Sequence, residues 1–370
     1  GLHPWIYRSD VADVQAESGD VVRLLGPNDR FYGYALYSEQ SQISLRRLTD
    51  RGDRPDEEFW RRRLQAAVEY RASLGIQGDA YRLVHAEADR LPALIVDRYG
   101  DYLVMQTLTR GIDRRRDLLA AALVELLEPK GILARNDPRV RELEGLTRSV
   151  ELLHGDVPEL VEVTEGTTRY RVDLWGGQKT GLFLDQRENR DAAARYARGR
   201  LLDCFSYSGG FALALAPRCE TVTAVDVSEE AIGALGVNAE LNGLEVHGVV
   251  ANAFDQLRAL DQADERFDTV CLDPPAFAKN KRAVDKALNG YKEINLRAMK
   301  LLDPGGHLIT CSCSYHVDDD LFEEMLQEAA ADVSATMTIV ERRGQSRDHP
   351  VMLGVPETSY LKCFILRRQA

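Results

Sequence analysis

Positive charge is in short supply: 47 lysines and arginines stand against 59 aspartates and glutamates, leaving a formal net charge of −12. A chain that coats nucleic acid along its whole length is thereby excluded, because phosphate binding needs local positive charge. Long apolar runs are missing as well, none nearing the ~20 residues of a spanning helix. No signal-peptide pattern opens the chain. A cytoplasmic protein with no membrane partner is the expectation. The six cysteines have neither the even spacing of a secreted disulfide framework nor a C-x-x-C pair of zinc or thioredoxin type. Reduced thiols and no metal site are expected, and a set of Cys311, Cys313 and His316 would still need a fourth ligand.

Three clusters are candidates for a local basic surface: Arg46, Arg47, Arg51, Arg54 and Arg61 to Arg63; Arg114 to Arg116; and Lys279, Lys281 and Arg282. Each reads first as a solvated face. At 370 residues the chain is too long for one comfortable core, and two or three domains are the prior. Residues 1–70 alternate short apolar runs with turn residues, a small β pattern with a hairpin of strands Asp20–Leu25 and Phe31–Tyr37. "PDEEFWRRRLQAAVEYRASLG" follows as a capped helix. Residues 71–168 read as a small α+β module. From residue 169 to 370 strands alternate with helices, the pattern of a doubly wound parallel sheet. Ligands of such sheets bind outside the carboxyl ends of the strands.

The motifs at those ends are therefore where the chemistry is sought. "DCFSYSGGF" closes the first strand, with Gly209 and Gly210 allowing a tight turn, although the dinucleotide-binding G-x-G-x-x-G spacing is absent. "AVDVS" closes the second, and Asp226 can accept from a ribose diol while Ser228 caps the next helix. "VANAF" closes the third, where Asn252 is placed either for an adenine edge or as a turn asparagine. "LDPPAFAKNK" closes the fourth. It delivers Asp273 to the sheet edge, fixes an extended loop with Pro274 and Pro275, and offers Phe277 for stacking and Lys279, Lys281 and Arg282 for phosphates. "TCSCSY" closes the fifth. Side chains alternate in a strand, so Cys311 and Cys313 share a face. Cys311, taken as level with Cys271, reads with it as core, and Cys313 is the exposed candidate beside Asp273.

"GQKTGLFLDQRENR", "LLDCFSYSGGFALALA", "LDPPAFAKNK", "TCSCS" and "DHPV…ETSYLKCFIL", with "HPWIYRSDV" near the start, resemble the RlmI-type large-subunit rRNA cytosine-C5 methyltransferases over the whole chain. The resemblance implies a PUA-like RNA-binding domain (1–70), a central α+β domain (71–168) and a Rossmann-like class I S-adenosylmethionine (SAM) methyltransferase domain (169–370). Asp203, Phe205, Tyr207, Ser208 and Gly209 would hold the methionine end of SAM. Asp226 would hold its ribose and Asn252 and Ala253 its adenine, with Val227, Ser228 and Phe254 as further cofactor contacts. Lys179 to Arg187 would close over it through Phe183 and Arg187. Members commonly carry Asp where this chain has Asn252, whose amide oxygen can still accept from the adenine amino group.

By the same resemblance Cys313 is the nucleophile that adds to cytosine C6 and Asp273 faces the methyl group and the base. Phe277 or Tyr315 would stack on a flipped base. The implied partner is RNA, 23S rRNA, and a homodimer is compatible with the resemblance. Two other readings fit the motifs. An RNA guanine or adenine N-methyltransferase of the same architecture needs no thiol, and a non-catalytic RNA-binding assembly factor needs no SAM.

Overall fold

The computed structural model describes residues 3–50, 52, 54–177, 180–278 and 280–370. The chain groups into two units. The first comprises Gly1–Glu165, Val172–Leu184 and Arg347–Thr358, and the second Gly166–Arg171, Asp185–Ser346 and Ser359–Ala370. Residues 172–184 and 347–358, expected within a methyltransferase domain of 169–370, thus group with the first unit.

In the first unit Trp5–Tyr7, Ile43–Arg47, Phe31–Tyr37 and Val21–Leu25 form a four-stranded antiparallel sheet in that order. The helix Glu57–Ser73 starts where Asp56 accepts from the Phe59 N–H, one of the orphan donors of a helix start. Its apolar stripe of Trp60, Leu64 and Ala67 packs with Leu83, Leu94, Met105 and Leu123. These last belong to a five-stranded sheet (Ala80–His85, Leu94–Tyr99, Tyr102–Thr107, Gly131–Asn136, Ser149–Gly155) and its helix Arg116–Leu127. The strands Ser149–Gly155, Leu160–Glu165, Thr168–Asp173 and Met337–Arg343 were not anticipated.

A buried ionic knot ties the "DHPV" stretch into this unit. Arg71 pairs with Asp89 at 2.6 Å and donates to the carbonyls of Arg82 (3.0 Å) and Asp348 (2.7 Å). The Asp348 carboxylate accepts from the Arg82 N–H at 2.9 Å, and Asp97 takes the Arg82 guanidinium with both oxygens.

The second unit carries the strand–helix alternation, and labels here are counted within it. Seven strands are β1 (Arg200–Cys204), β2 (Thr221–Asp226), β3 (His247–Val250), β4 (Phe267–Leu272), β5 (Leu302–Ser312), β6 (Met337–Arg343) and β7 (Lys362–Arg368). They lie in the order β3-β2-β1-β4-β5-β7-β6. The first five in that order are parallel, and β7 runs antiparallel to both of its neighbours, so the sheet is mixed where an all-parallel one was expected.

Alternation along the strands splits the core into two layers. Leu202, Val270, Leu272, Leu308 and Phe364 face the helices α5 (Val284–Leu301) and α6 (Asp319–Asp332). Leu201, Cys271, Ile309, Cys311 and Cys363 face Ala192, Phe211 and Leu235 on the other side.

Asp89 is almost wholly buried, so removing Arg71 strands its charge in a low dielectric. Arg71→Ala is expected to destabilise the protein by about 3–5 kcal/mol, read as a lowered unfolding midpoint in urea.

Candidate active site

The parallel register puts five strand ends at one edge. Asp203 on β1 lies level with Ala224 and Cys271, and Asp226 on β2 level with Val250. Leu272 on β4 lies level with Thr310 on β5. Cys271 is therefore opposite Ile309, and it is Cys311, not Cys313, that comes level with Asp273. The depth match of Cys311 with Cys271 is corrected by two residues, the spacing that keeps a side chain on the same face. Both thiols are fully buried as expected, and burial pushes each well above its ordinary pKa.

The turn after β1 is built from unusual backbone. Phe205 (φ 65°), Tyr207 (φ 48°) and Gly209 (φ 94°) are all left-handed, a conformation that costs energy at the two aromatic positions and clusters at binding sites. The conformation is fixed by the Ser206 N–H donating to the Val225 carbonyl (3.1 Å) and the Tyr207 N–H donating to Asp226 Oδ2 (2.9 Å). Asp226 Oδ1 accepts from the Ser228 N–H (3.0 Å), while Ser228 caps the helix α3 (Glu229–Leu241). Val227, next to Asp226, is 73% exposed.

Beside this turn two buried polar atoms, Asp203 Oδ1 and Ser206 Oγ, lack a hydrogen-bond partner among the described residues. Asp203 Oδ2 accepts from the Ala212 N–H at 2.9 Å, and the carboxyl otherwise meets the weak thiol of Cys271. Burial above all pushes Asp203 up to about 8, the negative charges of Asp273 and Asp226 adding to it. A protonated acid with an unmet oxygen fits a ligand that brings an ammonium group, and the lone pairs left on Asp226 fit hydroxyl donors.

At β3 the turn-asparagine reading is realised. Asn252 Oδ1, the atom expected to meet adenine, accepts from the Phe254 N–H at 2.9 Å and caps the helix α4 (Ala253–Gln262). Phe277, half-buried, packs in an aromatic group: its ring centroid is 4.6 Å from that of Tyr291 and 5.8 Å from that of Phe254. The extended loop after β4 has Pro274 buried, Pro275 exposed, and Lys281 and Arg282 exposed beyond it. Lys279 and Lys179 lie outside the described residues, as does Arg51. Phe183 falls in the first unit; Arg187 begins the helix α1 (Arg187–Ala194) of the second, its side chain buried.

Asp273 and Cys313 are brought to the same loop. Cys313, half-buried just past β5, places Sγ 3.9 Å from the Pro274 carbonyl. Gln186 Nε2 donates to Asp273 Oδ1 at 2.8 Å. The Gln186 amide is itself turned by Asn189, whose Nδ2 donates to Gln186 Oε1 (2.7 Å), and Asn189 by Arg343 (3.0 Å). Ser314 accepts from the Ala278 N–H (3.1 Å) and shares a hydrogen with the Tyr291 hydroxyl (2.9 Å). Lys362 Nζ donates to the Ser314 carbonyl at 2.7 Å. Gln186, Tyr291, Ser314 and Lys362 were missed in the sequence. The signal for Lys362 was a lysine inside the apolar strand "YLKCFIL".

In the first two basic groups five arginines are paired with carboxylates. Arg46 pairs with Glu87, Arg47 with Asp50, Arg61 with Glu58, Arg114 with Asp20 and Arg116 with Glu151.

The sheet order, with its antiparallel seventh strand and the acidic residues at the ends of β1, β2 and β4, defines a Rossmann-like class I methyltransferase. Comparison with known proteins agrees. The profile of the S-adenosylmethionine-dependent methyltransferase family matches residues 141–367, and that of a PUA-like domain residues 1–50. A crystallised methyltransferase complexed with S-adenosylhomocysteine superposes with a TM-score of 0.85 at 22% identity, covering 98% of this chain and 95% of its own. Curated relatives named ribosomal RNA large subunit methyltransferase I are 40% identical. The one from Klebsiella pneumoniae (strain 342) aligns over 99% of this chain and 94% of its own length, and that from Aliivibrio fischeri (strain MJ11) over 99% and 95%. The chain belongs to the ribosomal RNA large subunit methyltransferase I family and is SAM-dependent.

The thiols should separate by environment. Iodoacetamide applied to the folded protein at neutral pH is expected to label Cys313 first, Cys219 (pushed up to about 11 by burial) more slowly, and the buried Cys204, Cys271, Cys311 and Cys363 least. Peptide mass spectrometry against time checks the order.

Proposed function

We propose that this protein methylates C5 of a cytosine in large-subunit ribosomal RNA, with Cys313 as the nucleophile. The relatives' name supports the RNA. One observation carries the chemistry: the half-buried Cys313 thiol lies against the same D-P-P loop that presents Asp273.

Bound SAM supplies an electrophilic methyl group. Asp203 and Ser206 suit its ammonium end, Asp226 its ribose hydroxyls, and exposed Val227 with Ala253 and Phe254 its adenine. The Asn252 contribution shifts to its amide N–H groups, since the oxygen caps a helix. At the base, the Cys313 thiolate adds to C6 and the electron pair of the C5–C6 bond makes C5 nucleophilic. C5 takes the methyl group as the S–CH3 bond of the sulfonium breaks; a base then removes the C5 proton, and its electron pair re-forms the C5–C6 double bond as the C6–S bond to Cys313 breaks. Gln186 donates to Asp273, so Asp273 acts as an acceptor. That is the partner required by the cytosine N4 amino group, where uracil has a carbonyl. The target must be unpaired or flipped. With Phe277 packed among aromatic rings, the stacking role passes to Tyr315, 44% exposed. Lys281 and Arg282 reach for phosphate. A PUA-like domain over residues 1–70 and a cytoplasmic site of action complete the reading.

Two measurements follow. At pH 7 the Asp203 carboxyl, with a pKa of about 8, is mostly protonated, and a neighbouring ammonium favours its ionised form. SAM binding should therefore release a proton at pH 7 and progressively less as pH rises past 8. Calorimetry in buffers of different ionisation enthalpy reads this, and Asp203→Asn should abolish that release. On RNA containing 5-fluorocytosine, whose C5 fluorine cannot leave as a proton does, the wild type and Cys311→Ala should form a covalent adduct. Cys313→Ala should form none and lose methylation by about a thousandfold or more. Full activity of Cys313→Ala would favour direct N-methylation instead.

A further inference from the structure

Lys362 is an anomaly in the second unit. It opens β7 directly opposite Ser312 of β5, and only 4% of it is exposed. A buried ammonium is costly, and an apolar side chain of similar length would serve packing better. Two carbonyls partly offset that cost: Nζ donates to Ser314 (2.7 Å) and Tyr360 (3.0 Å). Ser314 is the residue after Cys313, so the lysine grips the backbone that carries the thiol. The grip is reinforced from the far side, where the Ser314 hydroxyl meets the Ala278 N–H and the Tyr291 hydroxyl.

The charged and titratable groups around it come from three elements. Asp318, which caps α6, and Asp319 in its first turn face the ammonium, as does Cys313. Tyr291 of α5 feels Cys313 as well. Burial lowers the Lys362 ammonium to about 8, and Asp319, Cys313 and Asp318 hold it up. Interaction is mutual: a cation stabilised by a thiolate stabilises that thiolate in return.

We propose that Lys362 is a positioning residue for Cys313: its ammonium, fixed between the Ser314 and Tyr360 carbonyls, sets the backbone behind the thiol and favours the thiolate. The importance of this for turnover rests on the nucleophilic role of Cys313 given above, but the effect on the thiol does not.

The test therefore reads the thiol itself. Full-length protein is alkylated with iodoacetamide across a pH series, and the rate at Cys313 is followed by peptide mass spectrometry. Lys362→Met should raise the midpoint of the Cys313 profile by about one pH unit, so that labelling at pH 7 slows about tenfold. Lys362→Gln, which keeps an N–H for a carbonyl but not the charge, should raise it too and serves if the Met variant does not fold. Lys362→Arg should stay nearer the wild type. Wild-type profiles in folded Met or Gln variants, or an Arg variant shifted as far as they are, would overturn the proposal. Methylation by Cys313→Ala separates the two claims: if it persists, the nucleophilic reading falls while the thiol titration stands on its own.

Discussion

The parallel register of β1, β2, β4 and β5 is the constraint on which the site rests. Because Asp203, Asp226, Leu272 and Thr310 are fixed relative to one another by ladder hydrogen bonds, the turns that follow them must share one edge. No single turn is distinctive enough to define a site. Their convergence is what brings an acid, a strained glycine turn, a D-P-P loop and a cysteine within reach of one another, and the rule that ligands bind there follows from the same geometry.

Burial then sorts the polar groups at that edge. In a low dielectric an unpaired group is expensive and a neighbouring charge is strongly felt. Asp203 responds by holding its proton, Asp273 by taking the Gln186 amide, and Lys362 by gripping two carbonyls. Cys271 and Cys311, on the opposite layer from Lys362, are kept protonated and inert by the same burial that makes them good core residues. Cys313 differs by standing two residues further on, past the end of the strand.

Much of this was legible. Alternating apolar runs marked the strands of the second unit, and position along the fifth strand, one cysteine inside it and the other past its end, told Cys311 from Cys313. Other features were not, for physical reasons. The depth of Cys311 depends on the register between two strands distant in sequence, and a local pattern does not carry register. The strand Met337–Arg343 is half exposed and charged, so its alternation was masked by Glu341, Arg342 and Arg343. Phe277 looked available because an isolated aromatic in a loop carries no mark of the rings, Tyr291 and Phe254, that three-dimensional packing supplies. Gln186 and Lys362 act through partners more than 40 residues away in sequence. Segments 172–184 and 347–358 leave the unit their neighbours belong to, which composition could not foretell.

Nucleoside mass spectrometry of large-subunit rRNA, from cells with and without the gene, tests the central claim most directly. Cytosine-C5 chemistry predicts that one 5-methylcytidine disappears on deletion and returns with the wild-type gene but not with Cys313→Ala. Loss of a methylated guanosine or adenosine, with 5-methylcytidine unchanged, would contradict it.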